Sequence, residues 1–204
     1  MPNWCDNQVR INGPKKEIEK FVKLIGKKEP NFDFNLFIPY PDEFKKLDDE
    51  AKNWEKEAEE FRRQGKEVDY SKQPSDGYNQ GGYQWCIQNW GTKWNVEKEC
   101  EWDNTDERGI KLIFQTAWSP PEPVISAISE KFPKLTLTLE YESLESSYAG
   151  YYVAKAGDVL EESCYEFDEE EDENDEDDDI TDDETGRVCK LVINHISKED
   201  TNDN

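Results

Sequence analysis

Between Asn89 and Trp94 the chain reads Asn-Trp-Gly-Thr-Lys-Trp, which places a hydroxyl and a cation between two indoles. An ammonium held over an indole face is an attractive contact worth about 0.5–2 kcal/mol, whether it closes a core or meets a ligand. Four further residues, Asn3, Trp4, Trp118 and Ser119, repeat the pairing of a polar side chain with an indole at the ends of strands and helices. Asn3, Trp4, Asn89, Trp90, Lys93, Trp94, Trp118 and Ser119 are therefore the candidate binding residues, with Lys93 at the lip of a tryptophan-lined notch. Indoles are more often buried structure than ligand walls, because each covers a large area and satisfies its N–H locally. A lysine with a depressed pKa in a closed cleft would instead mark an enzyme.

Other chemistries find little support. His195 is the single histidine and has no neighbouring ligand partner. Asp172 and Asn174 open like a calcium loop, but its sixth position is Asp177, where the sharp turn requires glycine. No cysteine or serine stands in an activating context, and no glycine-rich phosphate loop occurs. The expectation is no metal, no cofactor and no catalytic residue. Arg108-Gly109 followed by Ile110–Phe114 echoes an RNA-recognition strand, yet the stacking aromatics are missing and the charge is wrong.

That charge is unevenly placed. The 204 residues carry a net −24, of which 15 acids and no base fall within residues 166–184. Residues 1–165 hold 31 acids against 22 bases, a net of −9. The chain thus divides into a mildly acidic body, 1–165, an acidic segment expected to be disordered, 166–186, and a C-terminal strand and tail, 187–204. Such a balance repels nucleic acid and anionic membrane surfaces. Five scattered cysteines without a CxxC pair suit a reducing compartment, and no apolar run approaches membrane-spanning length, so the expected location is cytoplasmic.

The elements that must position the notch follow from periodicity. Residues 4–12 alternate, with Cys5, Asn7, Val9 and Ile11 on one face. Pro14 opens a helix whose stripe is Ile18, Phe21, Val22 and Ile25, closed by Gly26. Residues 27–96 read as an insertion: Phe32, Phe34, Leu36 and Ile38 alternate up to Pro39 and Pro41, and Asp48 caps a charged helix running to Gln64 with the stripe Ala51, Trp54, Ala58 and Phe61. Residues 71–82 read as loop, and Tyr83, Ile87 and Trp90 share a face of a short helix ended by Gly91.

Lys98–Asp103 is a short strand, and Ile110–Trp118 a longer one with Ile110, Leu112, Phe114, Thr116 and Trp118 on one face. Ser119 to Glu122 has capping-box spacing before a helix bearing Val124, Ile125, Ile128 and Phe132. Leu135, Leu137, Leu139 and Tyr141 alternate as a fourth strand. Two strands, 148–154 and 159–165, flank a tight turn, and residues 188–193 form a late strand able to return to a sheet edge. Strand, helix, insertion, strand, strand, helix, strand is the α+β, ferredoxin-like (split βαβ) plan: an antiparallel sheet with both helices on one face.

Four blocks carry a family resemblance: Pro2-Asn3-Trp4-Cys5 with Val9, Ile11 and Gly13; Phe37-Ile38-Pro39 with Pro41; Asn89–Trp94; and Phe114 with Thr116–Pro121. Across roughly residues 2–155 the chain resembles the YubB-type ferredoxin-like domain proteins carried by phages and plasmids. That resemblance implies the same fold and a mobile-element origin, and it brings no assigned activity or functional residues. The functional expectation is a non-enzymatic binding protein of a phage or mobile element, engaging a host or element protein. Its acidic tail would offer a basic partner a nucleic-acid-like charge array. The alternative is an enzyme of unrecognised type using Lys93 in its tryptophan-lined cleft.

Overall fold

The computed structural model describes residues 3–26, 32–96, 100–106 and 109–166, with backbone alone for Glu101–Asp106. The expectations for the acidic segment 166–186 beyond Glu166, for the strand at 188–193 and for His195 lie outside the described residues.

Strand β1 (Trp4–Asn12) runs through the middle of a sheet because both its faces are useful. Cys5, Asn7, Val9 and Ile11 are buried against helices, and the residues between them point to the other face. Helix α1 (Lys15–Ile25) begins beside Pro14 and ends at Gly26, whose φ of 92° is a conformation that favours glycine. Strands β2 (Glu101–Asp106) and β3 (Gly109–Ala117) form a hairpin. Helix α4 (Glu122–Lys131) follows and leads into β4 (Thr136–Ser143). β1 pairs antiparallel with β3 on one side and β4 on the other. The order β2-β3-β1-β4 is the ferredoxin-like split βαβ arrangement. Its core is the expected alternation made solid: Ile110, Leu112 and Phe114, then Leu137, Leu139 and Tyr141, against Phe21, Ile25, Val124, Ile125, Ile128 and Phe132.

Two strands extend the sheet beyond that plan. β5 (Tyr148–Lys155) pairs with β4, and β6 (Asp158–Glu166) pairs with β5. Ala156 and Gly157 join β5 to β6 with positive φ at both positions, 54° and 87°, as a tight hairpin with right-handed twist demands. Gly150 is obligatory for a different reason: a Cβ there would stand 2.3 Å from the Ser163 carbonyl and 2.6 Å from the Tyr141 hydroxyl.

The insertion departs from the sequence reading in three places. Phe34–Leu36 is a single 3-10 turn, so Phe32 and Phe34 are buried from an irregular segment instead of a strand. Helix α2 (Asp42–Arg63) starts right after Pro41, six residues before Asp48. Asp48 therefore does not cap it; its Oδ1 accepts from the Tyr78 N–H at 3.0 Å, fastening the loop to the helix. Of the stripe on α2 only Ala58 is fully buried, and Phe61 is 45% exposed. The reading of residues 71–82 as loop is refined by a wide helical turn at Tyr78–Gly82 leading into α3 (Tyr83–Trp90). Among the described residues no helix is long and apolar enough to cross a membrane.

Candidate functional site

Helix α3 is short and must be held by its ends. Gly91 terminates it in the left-handed conformation, φ 79°. A Cβ at that position would come within 2.8 Å of Pro123 Cδ and 2.9 Å of the Pro120 carbonyl, so Gly91 also permits the turn to touch the start of α4. Thr92, fully buried, donates its hydroxyl to the Ala117 carbonyl at 2.7 Å. Ser119 donates its hydroxyl to the Gly91 carbonyl. These two bonds tie the exit of α3 to the end of β3. Ser119 is consequently not the helix cap that its spacing before Glu122 implied; Pro121 precedes α4 and no side chain caps it.

Behind this junction lies a buried polar relay. Asn7 Nδ2 donates to the Cys5 carbonyl and to Thr116 Oγ1, both at 2.8 Å, and Thr116 Oγ1 donates to the Ser119 carbonyl at 2.9 Å. Buried donors and acceptors in such a chain satisfy one another and fix the register of β1 and β3. Asn95 completes the turn from the other side, accepting from the Phe34 N–H at 3.0 Å and donating to Asp33.

Trp118 is where the alternation of β3 fails. It was expected to share the buried face with Thr116, but its φ is 77° and its side chain is 46% exposed. The strand ends at Ala117. The Trp118 N–H then donates to the Asn3 carbonyl at 2.9 Å, and its carbonyl accepts from the Tyr148 hydroxyl. Contacts from Asn3, just before β1, and from Tyr148 of β5 thus hold a bulky residue in left-handed backbone, a conformation costing about 1–2 kcal/mol. The indole is turned out of the core as a result.

Lys93 lies over that indole, its Nζ 2.8 Å from the ring centroid and 5.8 Å from the centroid of Trp94. Desolvation by this setting draws the ammonium below the ordinary lysine pKa. Trp94 meets Trp4 edge to face, with ring centroids 6.3 Å apart. Asn3 donates its amide to Ser146 Oγ at 3.1 Å. The end of the sheet therefore assembles Asn3, Trp4, Lys93, Trp94, Trp118 and Ser119 from three segments, helped by the pairing of Trp4 with Ala117.

The other two candidates are placed elsewhere. Trp90 is 3% exposed and donates its indole N–H to the Ile38 carbonyl at 2.9 Å, amid Phe34, Tyr40 and Trp85. It anchors the insertion to the core. The amide of Asn89 is engaged by the Trp85 carbonyl one turn back. The Thr92 hydroxyl, read from the sequence as presented beside Lys93 between two indoles, is instead buried in the site's frame; Tyr148 also belongs to that frame and was not singled out by sequence reading. Asn7 and Thr116 carried a signal, being polar members of otherwise apolar strand faces.

The thiols nearby are inert by environment. Burial pushes Cys5 up to about 11 and Cys86 up to about 12. Among the described residues no three His, Cys, Asp or Glu side chains gather in a way that could hold a metal ion.

Residues 89–183 match the family described as the ferredoxin-like domain in Api92-like protein. In three dimensions the chain is similar to the crystal structure of a protein Api92 from Yersinia pseudotuberculosis, with a TM-score of 0.50 and 12% identity over 82% of this chain and 99% of that one. No curated protein matches the chain. At that identity the likeness concerns the fold alone. Both findings agree with the ferredoxin-like domain expected from the sequence blocks, and neither bears on a YubB-type affiliation, a mobile-element origin or an activity.

Proposed function

We propose that this protein is a non-enzymatic binding module whose contact point is the exposed indole of Trp118. The observation that carries this reading is the left-handed backbone at Trp118, φ 77°, fixed by Asn3 and Tyr148 so that a large aromatic faces solvent. An unfavourable conformation held in place by surrounding structure is typical of functional positions. Tryptophan is also among the residue types enriched at the energetic hot spots of protein interfaces. Trp4 and Trp94 extend the surface, and Lys93 stacks on the anchor and orients it.

The partner is a protein, and a basic one. Residues 166–184 with their 15 acids would attract a surface evolved for phosphates, and they repel nucleic acid itself. In this reading the setting is a phage or other mobile element and the target is a host or element protein, with the tail supplying attraction and the indole supplying fit. Capture of partners by the full chain and by Trp118→Gly tests the anchor. A salt series tests the tail, since exposed charges are screened beyond about 8 Å at physiological ionic strength. Captured proteins that are basic and released by salt support the charge mimic; equal capture by a chain lacking residues 167–184 removes it.

One observation favours a second reading, an enzyme using Lys93: the lowered pKa of its ammonium. The amine faces the Trp118 ring, however, where it is engaged as a cation. An activity lost in Lys93→Met with the fold intact would establish that reading.

A further inference from the structure

β6 stands at one side of the sheet, and among the described residues its outer edge meets no further strand. Its nine residues read Asp-Val-Leu-Glu-Glu-Ser-Cys-Tyr-Glu, with four acids, no base and no proline. An edge of this kind offers backbone donors and acceptors to any extended chain that comes alongside. Val159 and Leu160, 47% and 58% exposed, add apolar surface where a register shift leaves Leu160 without a partner on β5. The charges decide which chain can use the edge. A second copy would lay acid beside acid, and like charges directly opposite one another destabilise strand pairing.

Pairing with β5 sorts the side chains of β6 onto two faces. Glu162, Cys164 and Glu166 lie opposite Tyr152, Gly150 and Tyr148, which pair in turn with Leu139, Tyr141 and Ser143 on the helix-covered face. Glu161, Ser163 and Tyr165 lie on the other face, where Glu161 accepts from the Tyr151 hydroxyl. Glu122, at the start of α4, belongs to the helix side. Desolvation raises its carboxyl above the usual range, and the charge of Glu162 adds to that rise. Among the described residues no ion pair falls on Glu122, Glu162 or Glu166. The helix-side row of β6 therefore presents two carboxylates about 13 Å apart with a small side chain between them.

We propose that the outer edge of β6 docks an extended basic segment of another protein, which adds to the sheet as a further strand. Main-chain hydrogen bonds along Asp158–Glu166 hold the segment, and its alternating side chains supply specificity. The segment that fits carries lysine or arginine at positions i and i+4, opposite Glu162 and Glu166, and a small residue at i+2, opposite Cys164. The residues between these face Ser163 and Tyr165, where β-branched side chains suit a pleated surface. This edge is a different surface from the Trp118 indole, and the inference stands whatever that indole contacts.

Hydrogen exchange of the full chain tests it, with the acetylated and amidated peptide Thr-Lys-Val-Ala-Val-Lys-Thr as the probe. At millimolar peptide the outward amides of Asp158–Glu166 should exchange at least about fivefold more slowly than without it, as strand hydrogen bonds form. The same peptide N-methylated at its alanine and both valines keeps its charges, loses its strand donors and should give no slowing. In a chain carrying Glu162→Lys and Glu166→Lys the lysine peptide should lose its effect, and Thr-Glu-Val-Ala-Val-Glu-Thr should restore it. Exchange of β6 that is the same with and without the lysine peptide would overturn the inference, as it would if the chain itself or a second copy already filled the edge. Equal slowing by the N-methylated peptide, or slowing that survives the charge reversal, would also overturn it.

Discussion

The Nζ of Lys93 stands 2.8 Å from the centroid of the Trp118 ring, and this contact joins the exit of α3 to the end of β3 on the outer surface. On the inner side the same two segments are joined by Thr92 and Ala117. The indole is thus fixed between a buried hydrogen bond and a surface cation, which makes it a rigid feature of the sheet's end.

The backbone at Trp118 makes a sharp expectation. Glycine adopts φ 77° without a Cβ penalty, whereas alanine keeps it. Trp118→Ala should therefore be less stable than Trp118→Gly by about 1 kcal/mol in chemical denaturation. Equal stability would show that the left-handed conformation is relaxed once the indole is gone.

Gly91→Ala should destabilise by about 2 kcal/mol or more, because the φ penalty of about 1–2 kcal/mol is joined by contacts to Pro123 and the Pro120 carbonyl. A denaturant midpoint within error of the native protein would mean the turn opens freely.

Trp90→Ala should cost about 3–5 kcal/mol through the cavity left among Phe34, Tyr40 and Trp85. The orphaned Ile38 carbonyl adds to that loss. Hydrogen exchange should show the added opening concentrated in the insertion; a uniform effect across the sheet would contradict an anchoring role.

Much of this architecture was legible in the sequence, and particular residues show why. Cys5, Asn7, Val9 and Ile11 alternate because β1 has one face on the helices, and Leu135, Leu137 and Leu139 repeat the pattern with no exception. Gly26 and Gly91 mark helix ends through their positive φ. What could not be read depends on partners distant in the chain. Trp118 continues the apolar period of β3 by type, and only the Asn3 carbonyl and the Tyr148 hydroxyl turn it outward. Asp48 has the chemistry of a cap, but α2 already begins at Asp42, six residues earlier, which leaves its carboxylate to Tyr78. Trp90 and Trp94 are equal as letters, separated by Gly91, Thr92 and Lys93; the turn buries the first and leaves the second at the rim.

Thiol labelling should follow environment. With the Cys5 thiol pushed up to about 11 and Cys86 to about 12, both are protonated at pH 8, and both are buried. Cys164 is exposed on β6. Iodoacetamide at pH 8 should modify Cys164 well before Cys5 or Cys86, which should react only on unfolding. Early labelling of Cys5 would contradict its burial under the Asn7 and Thr116 relay.

The central claim is that Trp118 is the contact point, with Lys93 as its positioning residue. It is tested most directly by measuring partner affinity and melting temperature together for Trp118→Gly and Lys93→Met. Methionine keeps an apolar stem over the ring, so Lys93→Met should hold affinity within about threefold. Trp118→Gly should lower affinity at least about tenfold, the loss expected of an interface anchor, while the melting temperature shifts by only a few degrees. Undiminished capture by a folded Trp118→Gly protein would contradict the account.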